Sequence, residues 1–219
     1  MASITEAWEV LNSDDSFLPF YLPLAFWTGA FLVSKVRKIE FHDWKPLHNA
    51  FNMAAIALSA ISLYFGNDNI FNERIPILFS LSYFSVDLVD CVWRRDIAFT
   101  FHAVFCLILG TFNYATPVLR TIRANSKACM FELSSPFLHR AKRTRQPTDF
   151  LLFVVVFTCC RIIWIPLIGK QMHEAGLIFP TDIRQILVVG FYALNLFWYY
   201  KMIRIVLDAV TQSKQEKSV

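Results

Sequence analysis

Five ionisable residues stand inside otherwise apolar stretches of the chain: Asp87, Asp90, His102, Glu132 and Arg161. A charge at bilayer depth is costly, so such residues face a cavity or a partner, and each is a candidate functional group. Tyr83, Asp87, Asp90 and Arg94 fall at i, i+4, i+7 and i+11, which puts all four on one stripe of a helix. Asp90 and Arg94 can pair across one turn. Asp87 has no such local partner and must look to a neighbouring helix. His102, on the next apolar run, is the natural counterpart, because a carboxylate beside an imidazole can orient the ring as a general base. A hydrogen-bonded histidine in a packed bundle is the bland alternative, and both readings stand.

Depth sorts these groups into two layers. Counted at about 1.5 Å per residue from the basic helix ends, Asp87 and Glu132 lie about 9 Å deep and His102 about 7 Å. Arg161 and Asn195 come out at about 16–18 Å. Asp87, His102 and Glu132 are therefore expected to converge in one cavity near the cytoplasmic face. Other constellations are weak. His42 and His48 flank a loop with no further His or Cys nearby, so no metal site is expected. Cys91, Cys106, Cys129, Cys159 and Cys160 lie in or beside apolar runs without zinc-ligand spacing and read as core thiols, not a disulfide framework. The chain has no GxSxG, Walker, GxGxxG or CxxC signature.

Composition says what kind of elements must hold these residues. Of 219 residues, 56% are hydrophobic and 22 are Phe, with 17% charged and a mean hydropathy of +0.44. A soluble domain of this size lacks the interior to hide so many large apolar side chains, whereas lipid accepts them. The net charge of +4 comes from short basic clusters between apolar runs. That is the pattern of cytoplasmic loops, and no nucleic-acid motif accompanies it. The acidic start, MASITEAWEVLNSDDSF, lacks the basic n-region of a signal peptide, so the first apolar run is expected to be a retained helix.

Apolar runs near 17–36, 48–66, 75–93, 97–114, 150–169 and 185–207 approach the roughly 20 residues a crossing helix needs. The stretch 115–138 carries Arg120, Arg123, Lys127 and Glu132. Charge decides its reading. Basic clusters stand at Lys35, Arg37, Lys38 and Lys45, at Arg94 and Arg95, at Arg140, Lys142, Arg143 and Arg145, and at Lys201, Arg204, Lys214 and Lys217. All four share one side of the membrane only if 115–138 crosses. The expectation is an all-α membrane protein with seven transmembrane helices. Residues 1–16 form an acidic non-cytoplasmic tail, 17–36 the first helix, 37–210 the main domain and 211–219 a cytoplasmic tail. A re-entrant 115–138 remains the alternative. No internal repeat is visible, which speaks against an inverted-repeat transporter.

Five blocks in order, SYFSVDLVD (82–90), FTFHAVF (99–105), FELSSPFLHR (131–140), RIIWIP (161–166) and ALNLFWYYKMIR (193–204), resemble those of the TLC domain family. Ceramide synthases, translocating-chain-associated membrane proteins and compact multi-pass lipid proteins share that fold. The resemblance covers roughly 37–210. It implies an added N-terminal helix and six helices around a cavity that opens to the cytoplasm and takes acyl chains. It also implies an endoplasmic-reticulum membrane, with the N-terminus lumenal and the C-terminus cytoplasmic. Ceramide synthases carry two adjacent histidines where this chain reads Phe101-His102, while Asp87 and Asp90 match their aspartate block. The missing histidine favours a non-catalytic protein that binds lipid acyl chains and contributes to membrane lipid homeostasis. Its cavity would be lined by Tyr83, Asp87, Asp90, His102, Glu132, Arg161 and Asn195, with membrane lipids as partners and no cofactor. The alternatives are an acyltransferase using acyl-CoA with His102, Asp87 and Asp90, or a transporter or channel.

Overall fold

The computed structural model describes residues 4–41, 45–177 and 183–216, and among these every regular element is helical. His42 lies outside the described residues. A short amphipathic helix, α1 (Ile4–Asn12), precedes two helices of membrane-crossing length, α2 (Leu18–Arg37) and α3 (Lys45–Phe65). Then come α4 (Arg74–Trp93) and α5 (Ile97–Ala115). Short segments follow: a 3₁₀ turn Pro117–Ile122, α6 (Ala124–Cys129), a second 3₁₀ turn Met130–Leu133, and α7 (Ser134–Thr144). Helix α8 (Pro147–Phe157) runs through a π segment, Thr158–Ile163, into α9 (Trp164–Glu174). The chain closes with α10 (Ile183–Glu216).

Four stretches among the described residues are long and apolar enough to cross a membrane: Arg74–Trp93, Ile97–Ala115, Pro147–Glu174 and Gln185–Asp208. They differ in how much protein covers them. Helix α4 has 67% of its apolar window buried, against 17% for α5 and for Gln185–Asp208. Helix α4 is thus the central post, packed by α2, α3, α5 and α6, and α5 and α10 turn apolar side chains outward. Leu22, Ile108, Val155, Val189 and Phe197 are all exposed, as suits a surface facing lipid.

Local signals set the element ends. Pro19 and Pro147 occupy first turns, where the missing N–H costs nothing. The Asp96 carboxylate accepts from Phe99 N at 3.3 Å and caps α5. Left-handed residues, Lys38 (φ 54°) after α2 and Arg145 (φ 53°) after α7, stop two helices at basic loops. An aromatic cluster built on Trp27 joins α2 to α3 and α4, with ring centroids 4.9 Å from Phe51 and 5.1 Å from Tyr83.

The stretch 115–138 is not one helix. Pro117 opens a 3₁₀ turn, and Arg123, at φ 52°, bends the chain before α6 begins. The reason lies in two arginines that stay at the rim of the bundle. Arg120 Nη2 reaches Asp68 at 2.8 Å and Asp14 at 3.1 Å, and Arg123 Nη1 reaches Asp68 at 3.0 Å. Only after Arg123 does the path run inward, through α6, the second 3₁₀ turn and α7. The 1–16 tail is also not featureless: α1 packs Trp8 against Phe71, with centroids 5.9 Å apart.

Candidate functional site

The buried charges resolve into two layers of different composition. The inner layer centres on Arg161, whose side chain is 6% exposed. Its Nε donates to Ser134 Oγ (3.0 Å) and to the Phe131 carbonyl (3.3 Å), Nη1 to Asn195 Oδ1 (3.3 Å) and Nη2 to Glu132 Oε1 (3.5 Å). Ser135 Oγ donates to the other Glu132 oxygen at 2.8 Å. Asn195 itself donates to the Phe191 carbonyl one turn earlier. One guanidinium thus ties the π segment, α7, α10 and the 3₁₀ turn together, and its donors are used on acceptors instead of being left bare in a low-dielectric interior. Placing Arg161 in a π segment is how the helix aims it, since the wider turn rotates that side chain relative to the α-helical residues around it.

The second layer lies nearer the basic helix ends. Asp90 is wholly buried and accepts from Lys35 Nζ (2.9 Å) and Arg94 Nε (2.7 Å), the latter being the pair expected from the i, i+4 spacing. Tyr83 donates its hydroxyl to Asp87 at 3.4 Å. His102 does not sit against Asp87. Its Nε2 and Nδ1 are 3.7 and 3.9 Å from Cys106 Sγ. The ring stacks on Phe191 at 6.0 Å and meets Trp198 and Phe84 edge-on at 5.2 and 5.8 Å. Phe101, beside it, points outward and is exposed. His48 and His139 form a further ring pair 4.9 Å apart, with His139 hydrogen-bonded to Asn49. Among the described residues no group of three His, Cys, Asp or Glu side chains could hold a metal ion.

Glu132 belongs with Arg161, not with Asp87 and His102. The depth count ended its helix at 138, whereas α7 continues to Thr144. Six more residues add about 9 Å, which moves Glu132 to about 18 Å, the level counted for Arg161 and Asn195.

Beside the inner layer is a cavity of about 100 Å³. Phe84, Phe131 and Phe191 floor it together with Glu132 and Cys106, and Ser80, Gly110, Ala124, Ala128 and Gly169 wall it. Asn113 and Met172 lie at its rim, which puts it in the half of the bundle where α2 begins and away from the basic helix ends. Of the seven residues expected to line a cavity, Glu132 alone lines this one; Arg161 and Asn195 stand behind it, and Tyr83, Asp87, Asp90 and His102 belong to the layer beyond the floor. The thiols vary more than core packing required: Cys91 and Cys129 are buried, Cys106 and Cys160 partly so, and Cys159 is exposed, all unbridged.

Sequence reasoning missed a third site at the opposite end. Glu73, wholly buried, lies 2.6 Å from Asn125 Nδ2 and 3.4 Å from Ser126 N. Burial outweighs those bonds and raises its carboxyl to about 7. Asn72 binds Asn12 and Asp14 from the N-terminal segment. Burial would push Asp14 up, but its hydrogen bond and charge contact with Arg120, helped by Asn72 and Arg74, hold it below the usual carboxylate value.

Four apolar helices of crossing length, with charges paired between them, define a multi-pass membrane protein. A family model described as the TLC domain matches residues 47–204, and the chain belongs to that family. The match begins at α3 and ends within α10, leaving α1 and α2 as additions before the domain. No curated protein and no solved structure matched the chain.

Proposed function

We propose that this protein binds lipid acyl chains within its helical bundle and contributes to membrane lipid homeostasis, without forming ceramide. The observation that carries the reading is the cavity itself: an apolar space with a single carboxylate on its floor, held by a buried arginine. Largely apolar pockets with a few convergent polar groups are the usual form of a lipid site. The chain would lie between the small-residue walls, and Glu132, backed by Arg161, would take the polar group of the lipid. His102 sits among aromatic rings beyond the floor, with its nitrogens on a thiol, an arrangement that suits packing better than proton transfer.

Seven crossings remain the proposed topology, with one change of register. From Ala124 to Thr144 the two helices and the intervening 3₁₀ turn advance about 33 Å, enough for a hydrocarbon core of about 30 Å. That path replaces 115–138 as a crossing and keeps all the basic loops on the cytoplasmic side, with the N-terminus lumenal and the endoplasmic reticulum as the proposed membrane.

The test is photo-crosslinking of the purified protein with a diazirine-tagged sixteen-carbon chain, paired with an acyl-CoA consumption assay. Labelled peptides are expected from α5, α6 and α9. His102→Ala is expected to keep labelling within about tenfold, since a hydrogen bond is worth about 0.5–1.5 kcal/mol. Acyl-CoA turnover that His102→Ala abolishes would replace this reading with the acyltransferase one.

A further inference from the structure

Two glycines line the cavity and do opposite things. A Cβ at Gly110 on α5 would sit 2.8 Å from Leu81 Cδ2, so this glycine lets α4 and α5 close on each other. A Cβ at Gly169 on α9 would meet no atom within 4 Å. Its missing side chain makes room that no other protein atom uses. The walls elsewhere are also small, with Ala124 and Ala128 spaced one turn apart on α6 and Ser80 on α4, while three phenylalanines fill the floor.

The dimensions follow from the helices. Ile165 near the floor and Met172 at the rim both line the cavity. They are seven residues apart, about 10 Å along α9. An extended chain advances about 1.3 Å per carbon–carbon bond of about 1.5 Å, so that length holds about eight carbons. A void of about 100 Å³ over such a length is one chain wide. We propose that the cavity takes a single unbranched acyl or alkyl chain, and that Gly169 determines how many of its carbons the site can hold. A side chain at 169 would cut the lumen about 4.5 Å short of the rim and remove three or four carbons from it. This inference rests on the lipid-binding reading.

The experiment uses the full-length protein and straight-chain fatty alcohols of four to sixteen carbons, whose hydroxyl can donate to Glu132, competing against the photoactivatable chain. In the wild type, the gain in competition per added carbon is expected to end near eight carbons. In Gly169→Leu it should end near five, with eight-carbon and longer alcohols weakened about tenfold or more. Gly169→Ala should lie between, and Leu167→Phe, an outward position on the same helix, should match the wild type. Leucine and alanine both favour a helix over glycine, so neither variant is expected to lose the fold. A break at the same length in Gly169→Leu and wild type overturns the inference, as does a sterol that competes as well as an eight-carbon alcohol. If the wild type takes no label at all, the lipid-binding reading itself fails and this inference falls with it.

Discussion

Two ionic networks in this bundle use the same side-chain chemistry in opposite surroundings. At the rim, Asp14 and Asp68 are 56% and 30% exposed where they meet Arg120, whereas Glu132 and Arg161 inside the bundle are 14% and 6% exposed. Exposed pairs are screened and contribute about 0–1 kcal/mol each. A buried pair costs much to desolvate, and losing one partner strands the other. The rim network therefore fixes the position of α1 and the 117–123 turn without carrying much of the stability, and the inner network is where a single substitution does most harm.

The sharpest break of this contrast is Arg161→Ala. It strands Glu132 and removes the donors to Ser134, Asn195 and the Phe131 carbonyl. The expected loss is about 3–5 kcal/mol, read as a fall of about 10 °C or more in the unfolding midpoint in detergent. Replacing both partners, Arg161→Met with Glu132→Leu, should recover most of that loss, since an apolar pair carries no desolvation cost. A double variant as unstable as the single one would show that the other Arg161 contacts dominate.

Glu73 tests the middle ground, at the rim yet buried. Its folded-state carboxyl titrates at about 7 against an ordinary value of 4.5. The stability linked to it is fully present below about 4.5 and is lost as pH rises through 7, by roughly 3 kcal/mol in all. Glu73→Gln, which stays neutral, should remove that slope and be the more stable form at pH 8. Parallel pH profiles for the two proteins would refute the assignment.

The smallest effect is expected from Arg120→Ala. Asp68 keeps Arg123 and Asp14 keeps Asn72, so the loss should stay under about 1 kcal/mol and shrink further in high salt. A loss as large as that of Arg161→Ala would erase the distinction between the two networks.

How legible each part was in the sequence follows from the same physics. Hydropathy and basic loops located the long helices to within a few residues: the run at 75–93 is Arg74–Trp93 and that at 97–114 is Ile97–Ala115. The Asp90–Arg94 pair was legible because i, i+4 geometry is local. The partner of Glu132 was not, because its depth depends on where α7 ends and on a 3₁₀ turn that no periodicity announces. Arg120 and Arg123 did signal that 115–138 could not be an ordinary crossing. Their partners, Asp14 and Asp68, are 106 and 52 residues from Arg120, and only the fold brings them together.

The π segment at Thr158–Ile163 has a consequence for how this chain tolerates insertions and deletions. A π turn is a helix that has accepted a surplus residue without losing its axis. Removing one residue there would restore plain α-helical winding and rotate everything downstream by about 100° relative to α8. Gly169, Met172 and Ile165 would swing off the cavity together, although no cavity residue had been touched. The segment works as the phase setting between two halves of one crossing, so a deletion at this point can abolish a site that a dozen conservative substitutions along the same helix would leave intact.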